Sequence, residues 1–319
     1  MAGRSARLLA LAAVALAACN EDFSPKGNYE PRLAVYGILN GDRDTQFVRV
    51  YSTYNTTGFN AMENTVDPQI SDAVVTLSSP ESTFVLHDTL VRRIDTTRYQ
   101  SLIHAYYIPG LRPLPNKLFR LTVNSPTRGS AIASAVVPDV GILRLSNTLI
   151  FKVPLTYPTE DILVDVGLSS AARGYVVRMF VDYDISPGQS RRIEVPMSMD
   201  RTTDPPQPIY PNIRRGATTS STAYVSLTHT IARNAYLYAL NKAKEGNGVD
   251  LHFKKAVIVL YSVDKNLYAY FNIVNGFQDP FSIRTDQPDF SNIQGSVGVF
   301  GAFTVDSTSI DLGNIWIDS

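Results

Sequence analysis

The sequence predicts a mainly β protein with two short helices. Short apolar or alternating stretches recur along the chain between Gly, Pro and Asn residues, and residues 118–123 alternate strictly between two faces. Only two stretches, 231–244 and 264–275, carry apolar residues at helical spacing behind a residue that can cap a helix. We therefore expect a β-sandwich domain followed by a β-rich α+β domain.

Residues 1–18 predict a secretory signal peptide. Arg4 and Arg7 give a basic start, and the alanine-rich apolar core at 8–18 is shorter than the ~20 residues of a spanning helix. Small residues directly precede Cys19, the only cysteine, and this arrangement resembles the lipobox of bacterial lipoproteins. The resemblance implies that Cys19 is acylated and is the first residue of the mature protein. An ordinary signal peptide before a chance cysteine is the alternative.

An acylated Cys19 would anchor the chain to a membrane without spanning it, because no later stretch has the length and hydropathy of a spanning helix. No thiol would remain for a disulfide, a metal or a nucleophilic reaction. Residues 19–31 are polar and predict a flexible tether. Glu21 and Asp22 resemble the surface-export signal of some Gram-negative lipoproteins, although any tether is polar. We expect an outer-membrane location. The protein could face either the periplasm or the cell surface.

The charge balance argues against a nucleic-acid-binding protein. The chain has 29 basic and 29 acidic residues. Loss of Arg4 and Arg7 with the signal leaves 27 against 29, a net charge of −2. Binding to nucleic acid calls for a basic patch, and so small a net charge also predicts no strong steering of charged ligands.

Residues 32–138 are expected to form the first domain, a β-sandwich of the immunoglobulin-like or transthyretin-like type. Its strands are predicted at 33–37, 47–51, 74–77, 84–86, 104–108, 118–123 and 131–137. Residues 52–69 are polar and exceed the length of an ordinary connection, which indicates a mobile or functional loop.

Residues 139–319 are expected to form the second domain. Its strands are predicted at 149–153, 162–168, 175–184, 191–197, 224–228 and 256–261, and the four prolines of 201–216 indicate an extended loop. Thr230 is expected to cap the first helix. Asp264 is expected to cap the second, which would place Leu267, Tyr270, Phe271 and Val274 against the sheet.

The stretch at 295–303 predicts a strand that is structural rather than catalytic. Glycines within a strand indicate bulges or close backbone approach. We expect Gly295, Gly298 and Gly301 to meet neighbouring elements closely and Phe300 to be buried. The alternative is that these glycines frame a ligand loop, in which case they would be exposed.

Several stretches together with the signal resemble an uncharacterised family of Bacteroidota outer-membrane lipoproteins, a domain of unknown function. They lie at 31–37, 70–77, 118–123, 261–264, 268–270, 279–282, 291–293 and 298–302. The resemblance covers almost the whole mature chain, except that residues 284–289 form a polar loop where a shorter link is expected. Members are often encoded beside TonB-dependent receptors, which implies an accessory role at an outer-membrane transporter. The resemblance implies no catalytic residues.

No residue pattern predicts a catalytic or metal site. His87, His104, His229 and His252 lack the spacing of a zinc site. Asp286, Asp289 and Asn292 offer oxygen ligands for calcium, but their spacing matches no calcium loop, so a solvated loop is favoured. The many tyrosines, among them Tyr51, Tyr54, Tyr106, Tyr107, Tyr236, Tyr238, Tyr268 and Tyr270, indicate either an aromatic ledge for a glycan or peptide or ordinary core packing.

The sequence thus favours a non-enzymatic, lipid-anchored surface protein without a cofactor, the accessory or ligand-binding partner of a TonB-dependent transporter. A surface hydrolase with an unrecognised active site and a structural or adhesive surface protein are the alternatives. A cleft in which acids and histidines converge would favour the hydrolase. A broad apolar patch far from the lipid would favour a partner-binding protein.

Overall fold

A computed structural model describes residues 29–56, 60–152, 160–185, 188–216, 226–245, 251–273 and 290–313. Cys19, the signal peptide and most of the tether lie outside these residues. The chain divides into two compact units, 1–31 and 32–319. In the first unit the structure describes Tyr29, Glu30 and Pro31, and all three are exposed.

The mainly β fold is confirmed. In chain order the described strands are β1 (Leu33–Asn40), β2 (Gln46–Ser52), β3 (Val74–Ser78), β4 (Thr83–Val85), β5 (His87–Val91), β6 (Ile103–Ile108), β7 (Leu118–Ser125), β8 (Gly129–Val136), β9 (Ile142–Leu145), β10 (Ile162–Gly167), β11 (Gly174–Asp184), β12 (Ser190–Val195), β13 (Ser198–Asp200), β14 (Gln207–Ile209), β15 (Arg214–Arg215), β16 (Ser226–Ile231), β17 (His252–Val263) and β18 (Val297–Asp311). The helices are α1 (Arg233–Glu245) and α2 (Lys265–Ile273), and 3-10 turns occur at Ala61–Glu63 and Leu149–Phe151.

The largest sheet joins the two halves of the chain. Its strand order is β12-β11-β17-β18-β1-β2-β6-β5, and β15 pairs with β11. Strand β18 runs parallel to β1, with Val297 opposite Ala34, and antiparallel to β17. The start of β18 is almost wholly apolar, as expected for a strand whose two faces are both covered. The domain boundary expected at residue 138 therefore falls between two halves that share one sheet and one compact unit.

One face of this sheet carries two adjacent cores. The sheet β4-β3-β7-β8 packs over the β1 side, where Leu121 and Val123 meet Val35 and Phe300 in one cluster of buried residues. The sheet β16-β10-β9 and helix α1 cover the β11 and β17 side, with Tyr236 as the largest contribution of the helix. Two small sheets thus cover one large sheet.

The opposite face is covered by α2 over its middle strands. Leu267 and Phe271 share a buried cluster with Val299 and Phe303 of β18. Helix α2 begins after Asp264, whose Oδ1 accepts a hydrogen bond from the Leu267 peptide N–H at 2.8 Å, so the predicted cap is confirmed. The predicted continuation through Val274 lies outside the described residues.

Two local predictions were wrong. Helix α1 begins at Arg233, and Thr230 is not its cap, because β16 continues to pair with β10 as far as Ile231. The Arg233 peptide N–H donates instead to Asp161 Oδ1 at 3.0 Å. The strand expected at 149–153 contains a 3-10 turn, because Asn147 Oδ1 accepts from the Leu149 N–H at 3.0 Å and starts the turn.

The glycines of the terminal stretch are sites of close approach. A Cβ on Gly298, whose φ is +121°, would lie 2.0 Å from the carbonyl oxygen of Val35. A Cβ on Gly301 would lie 2.5 Å from Leu267 Cγ, and one on Gly295 would lie 2.7 Å from the Ser130 carbonyl oxygen. Phe300 is fully buried. Gly298 and Gly301 therefore allow β18 to lie close to β1 and α2, and Gly295 allows the preceding residues to lie close to β8.

Candidate ligand-binding cleft

An open cleft lies on the same face of the large sheet as α2. It lies over strands β1, β2 and β6, toward the β5 edge of that sheet. Its floor is formed by the outward side chains of β1, β2 and β6, among them Tyr36, Arg49 and Ala105. The cavity volume is about 820 Å³, within the usual range for sites that bind small molecules. The floor is rigid because the same strands bury their other face in the core.

The cleft opens where β2 and β6 part, and Gln69 lies between the two strands. The backbone beside Gln69 pairs with β2: Ser52 N–H donates to Pro68 O at 2.8 Å and Ile70 N–H donates to Val50 O at 3.0 Å. The side-chain amide of Gln69 pairs with β6, donating to Leu102 O at 2.9 Å and accepting from the His104 N–H. One glutamine thus completes both ladders and widens the floor.

Two loops form the walls, and ion pairs and hydrogen bonds join them. The first consists of the described residues at the two ends of the segment 52–69, among them Tyr54 and Asp67, and the second is the β5–β6 hairpin loop, residues 92–102. Arg93 forms an ion pair with Asp67, whose side chain is only 5% exposed. Arg98 donates to Tyr54 Oη at 2.6 Å and to the Asn64 carbonyl at 3.2 Å. The long segment 52–69, predicted to be a mobile or functional loop, therefore contributes one wall of the cleft where the structure describes it.

The buried carboxylate of Asp67 depends on its partners. Burial raises the pKa of Asp67 above its usual value, whereas the nearby charge of Arg93 and a hydrogen bond from Ser101 lower it. The Ser101 hydroxyl lies 3.3 Å from the carboxylate. Loss of Arg93 would leave a poorly solvated charge beneath the wall, which is costly.

Aromatic rings lie beside the arginines of the walls. The guanidinium of Arg98 lies 4.8 Å from the centre of the Tyr99 ring and 5.8 Å from that of Tyr54, within the range of cation–π attraction. The pKa of Tyr99 is raised above its usual value, chiefly by burial. Tyr51 and Tyr54 therefore belong to the cleft, whereas Tyr106, Tyr236 and Tyr270 are buried in the cores.

Arg49 differs from the arginines of the walls. It projects from β2 into the cleft, is half-buried, and makes no hydrogen bond or ion pair with the part of the chain that the structure describes. Its charge reaches Asp67, but Arg93 and Ser101 already bind that carboxylate. Arg92 is exposed at the rim. The lining carries four arginines against two aspartates, so its net charge is positive.

The histidines lie apart from this cleft. His229 is fully buried, neither ring nitrogen has a partner among the described residues, and burial lowers its pKa to about 4. His104 is buried beneath the floor and faces Tyr106. Within the described ranges no group of three His, Cys, Asp or Glu side chains could hold a metal ion.

Asp264 is buried and has an unusual titration. Burial raises its pKa to about 7, although the peptide N–H groups of Leu267, Ala302 and Asn266 favour the charged form. Its Oδ2 has no hydrogen-bond partner among the residues described. Asp264 lies beside Gly301, where it caps α2. It is a structural acid at the start of α2, beside β18.

The terminal stretch supports the sheet. Asn292, considered above as a calcium ligand, uses its amide on Phe300: Nδ2 donates to Phe300 O at 2.7 Å, and Oδ1 accepts from Phe300 N–H at 2.9 Å. Asp286 and Asp289 lie outside the described residues. Gly295, Gly298, Phe300 and Gly301 do not line the cleft, to which β18 contributes Val297.

The sequence-based search missed the arginines of the cleft. The available signal was the Arg-Arg pair at 92–93 followed by Arg98-Tyr99, which is a basic and aromatic cluster between two strands. Strand β5 was not predicted, because four of its five residues are exposed and its pattern does not alternate. Without that strand, residues 92–102 could not be read as a hairpin loop.

The fold and the cleft define a β-rich protein in which the described residues form a ligand-sized cleft on a large sheet. The chain belongs to the family described as Domain of unknown function (DUF4249), whose match covers residues 20–309. None of the curated proteins matches the sequence. Among the described residues neither helix has the length and hydropathy to cross a membrane.

Proposed function

We propose that this protein is a non-enzymatic lipoprotein of the outer membrane that binds a ligand in the cleft and acts as an accessory of a TonB-dependent transporter. The observation that carries the binding function is Arg49: a half-buried cation without a partner among the described residues, on the floor of a cavity of about 820 Å³. Such a residue suits a binding site, because a ligand can supply the missing anion.

The fixed walls of the cleft support a binding role. Arg93 and Arg98 hold the two loops together before any ligand arrives. A preformed site loses less conformational entropy on binding than a site that must first be ordered. The transporter partner and the lipid anchor rest on the family resemblance and on the sequence around Cys19.

The partnership is tested by purification from membranes. The full chain carrying an affinity tag after Ser319 is extracted from its native outer membrane in mild detergent and captured. We expect one large β-barrel receptor to copurify in fixed ratio. A Cys19→Ser variant is the matched control, since it should lack the anchor and lose the receptor. Capture of the lipoprotein alone, from membranes in which the receptor is present, would contradict the accessory role.

A further inference from the structure

We infer that the cleft binds a small organic carboxylate, with the acid group on Arg49 and an apolar or aromatic body along the floor. The inference deepens the proposed function and rests on its assignment of the cleft as the ligand site. It names the chemical class of the ligand and the residue that recognises it.

The first step is the state of the four arginines in the cleft. Arg93 is bound to Asp67, and Arg98 is bound to Tyr54 and the Asn64 carbonyl. Arg92 is exposed and therefore solvated. Only Arg49 combines partial burial with the lack of a hydrogen-bonding or ion-pair partner among the described residues. A guanidinium that has lost part of its water gains most from an anion that binds through two parallel hydrogen bonds.

The second step is the surroundings of Arg49. Side chains two apart on a strand lie on one face and are separated by about 7 Å, so Phe47 and Tyr51 flank Arg49 along β2. Phe47 is 46% exposed although it is a large apolar residue. Ile103 and Ala105 of β6 extend the same apolar floor. A ligand that neutralises Arg49 therefore has apolar surface available on both sides.

The third step distinguishes a carboxylate from other groups. A cationic ligand would lie beside Arg49, and of the two acids of the cleft one is engaged and the other, Asp95, is exposed to solvent. Asp67 is bound by Arg93, and Asp95 Oδ1 accepts hydrogen bonds from the hydroxyl and the peptide N–H of Thr97 at 2.6 and 2.9 Å. A phosphate dianion calls for more than one available cation, and the partly buried part of the cleft offers one. A planar monoanion fits a single guanidinium fork.

The test compares benzoate with benzamide, its neutral counterpart of the same shape, on the full chain purified in detergent. Binding is measured by calorimetry and by the shift in melting temperature, for the parent and for Arg49→Gln and Arg49→Lys. Arg120→Gln removes an exposed arginine on β7, far from the cleft in the fold, and is the matched control. Phenyl phosphate is the third probe.

We expect benzoate to bind at least tenfold more tightly than benzamide, since an ionic hydrogen-bonded pair contributes about that much. Arg49→Gln should remove this preference, Arg49→Lys should keep part of it, and Arg120→Gln should leave it unchanged. Melting curves show whether each variant is folded, and Arg49→Lys maintains the test if Arg49→Gln does not fold.

Equal binding of benzoate and benzamide, or binding of neither probe, would overturn the inference. Tighter binding of phenyl phosphate than of benzoate would overturn it in favour of phosphate. Benzoate selectivity that survives in Arg49→Gln would show that another group binds the acid. Because the purified protein is measured without a partner, loss of the transporter interaction would leave this result unaffected, and the two failures can be told apart.

Discussion

The side-chain amide of Asn292 binds both the peptide N–H and the peptide carbonyl of Phe300, at 2.9 and 2.7 Å. Strand β18 pairs with β17 only from Phe303 onward, so the edge at Phe300 lacks a strand neighbour on that side. The amide replaces the missing strand there. Asn266 Nδ2 donates to the same carbonyl at 3.1 Å. Two asparagines thus complete the hydrogen bonding of a buried strand.

We expect Asn292→Ala to destabilise the protein by about 1–3 kcal/mol, because it leaves the buried peptide N–H of Phe300 without its partner, while the carbonyl keeps Asn266. Chemical denaturation of both proteins measures the difference. Gln294→Ala is the control from the same segment, since this side chain is exposed. An Asn292→Ala variant as stable as Gln294→Ala would show that water replaces the amide without cost.

Phe300→Ala is expected to cost about 3–5 kcal/mol, since it empties a fully buried site. Gly301→Val should also destabilise, through collision with Leu267 rather than through its backbone angle. Thermal melts measure both. If both variants melt like the parent but lose their ligand or receptor, the stretch is functional and not structural.

Gly298→Ala is expected to be more harmful than Gly110→Ala. Both glycines have positive φ, +121° and +73°, but only Gly298 lacks space for a Cβ, because the Val35 carbonyl is in the way. The comparison separates steric collision from backbone strain, which by itself costs about 1–3 kcal/mol. Equal melting temperatures of the two variants would contradict the close approach of β18 and β1.

Asp264 and His229 are expected to give opposite pH dependence of stability. Between its usual pKa of 3.8 and about 7, Asp264 holds a proton in the folded state that the unfolded state has lost. Its contribution is therefore full below pH 3.8 and is lost as pH rises through 7, by up to about 4 kcal/mol. His229 is unprotonated in the folded state between 6.5 and about 4. Its contribution is full above pH 6.5 and is lost as pH falls through 4, by up to about 3 kcal/mol.

Variants of these two residues separate the effects. Asp264→Asn keeps a side chain that can cap α2 and removes the titration, so its stability relative to the parent should rise from pH 4 to pH 8. His229→Phe should gain relative to the parent as pH falls from 7 to 4. Urea denaturation at each pH gives the curves. Parallel curves for parent and variant would show that the residue does not titrate as described.

The ion pair between Arg93 and Asp67 is expected to hold the two wall loops of the cleft together. Arg93→Gln should destabilise by about 1–3 kcal/mol, because Asp67 keeps its buried charge without the cation. Adding Asp67→Asn should recover part of that loss. A double-mutant cycle measures the coupling, and a coupling near zero would mean that the loops are held by Arg98 alone.

Sequence predicted what is local. The alternation at 118–123 became β7, and Asp264 caps α2, because both signals lie within a few neighbouring residues. The pairing of β1 with β18 could not be predicted, since the local sequence of a strand does not specify a partner more than 250 residues away. The cleft was missed for the same reason. The sequence does not distinguish Arg49 from the other arginines, because the cleft around it is formed by two loops and by Gln69, which are distant in sequence.

The central place of β18 has a consequence for how the chain folds. Strands β1 and β17 both need β18 beside them, yet β18 is the last strand described and is made last. Until it is made, the strand pairs β1–β2 and β11–β17 each expose an unpaired edge, which favours aggregation. Contacts between such distant residues also make folding slow. The chain is therefore expected to stay incompletely folded until β18 is available, so a truncation that removes β18 should be far more damaging than the loss of residues 19–31.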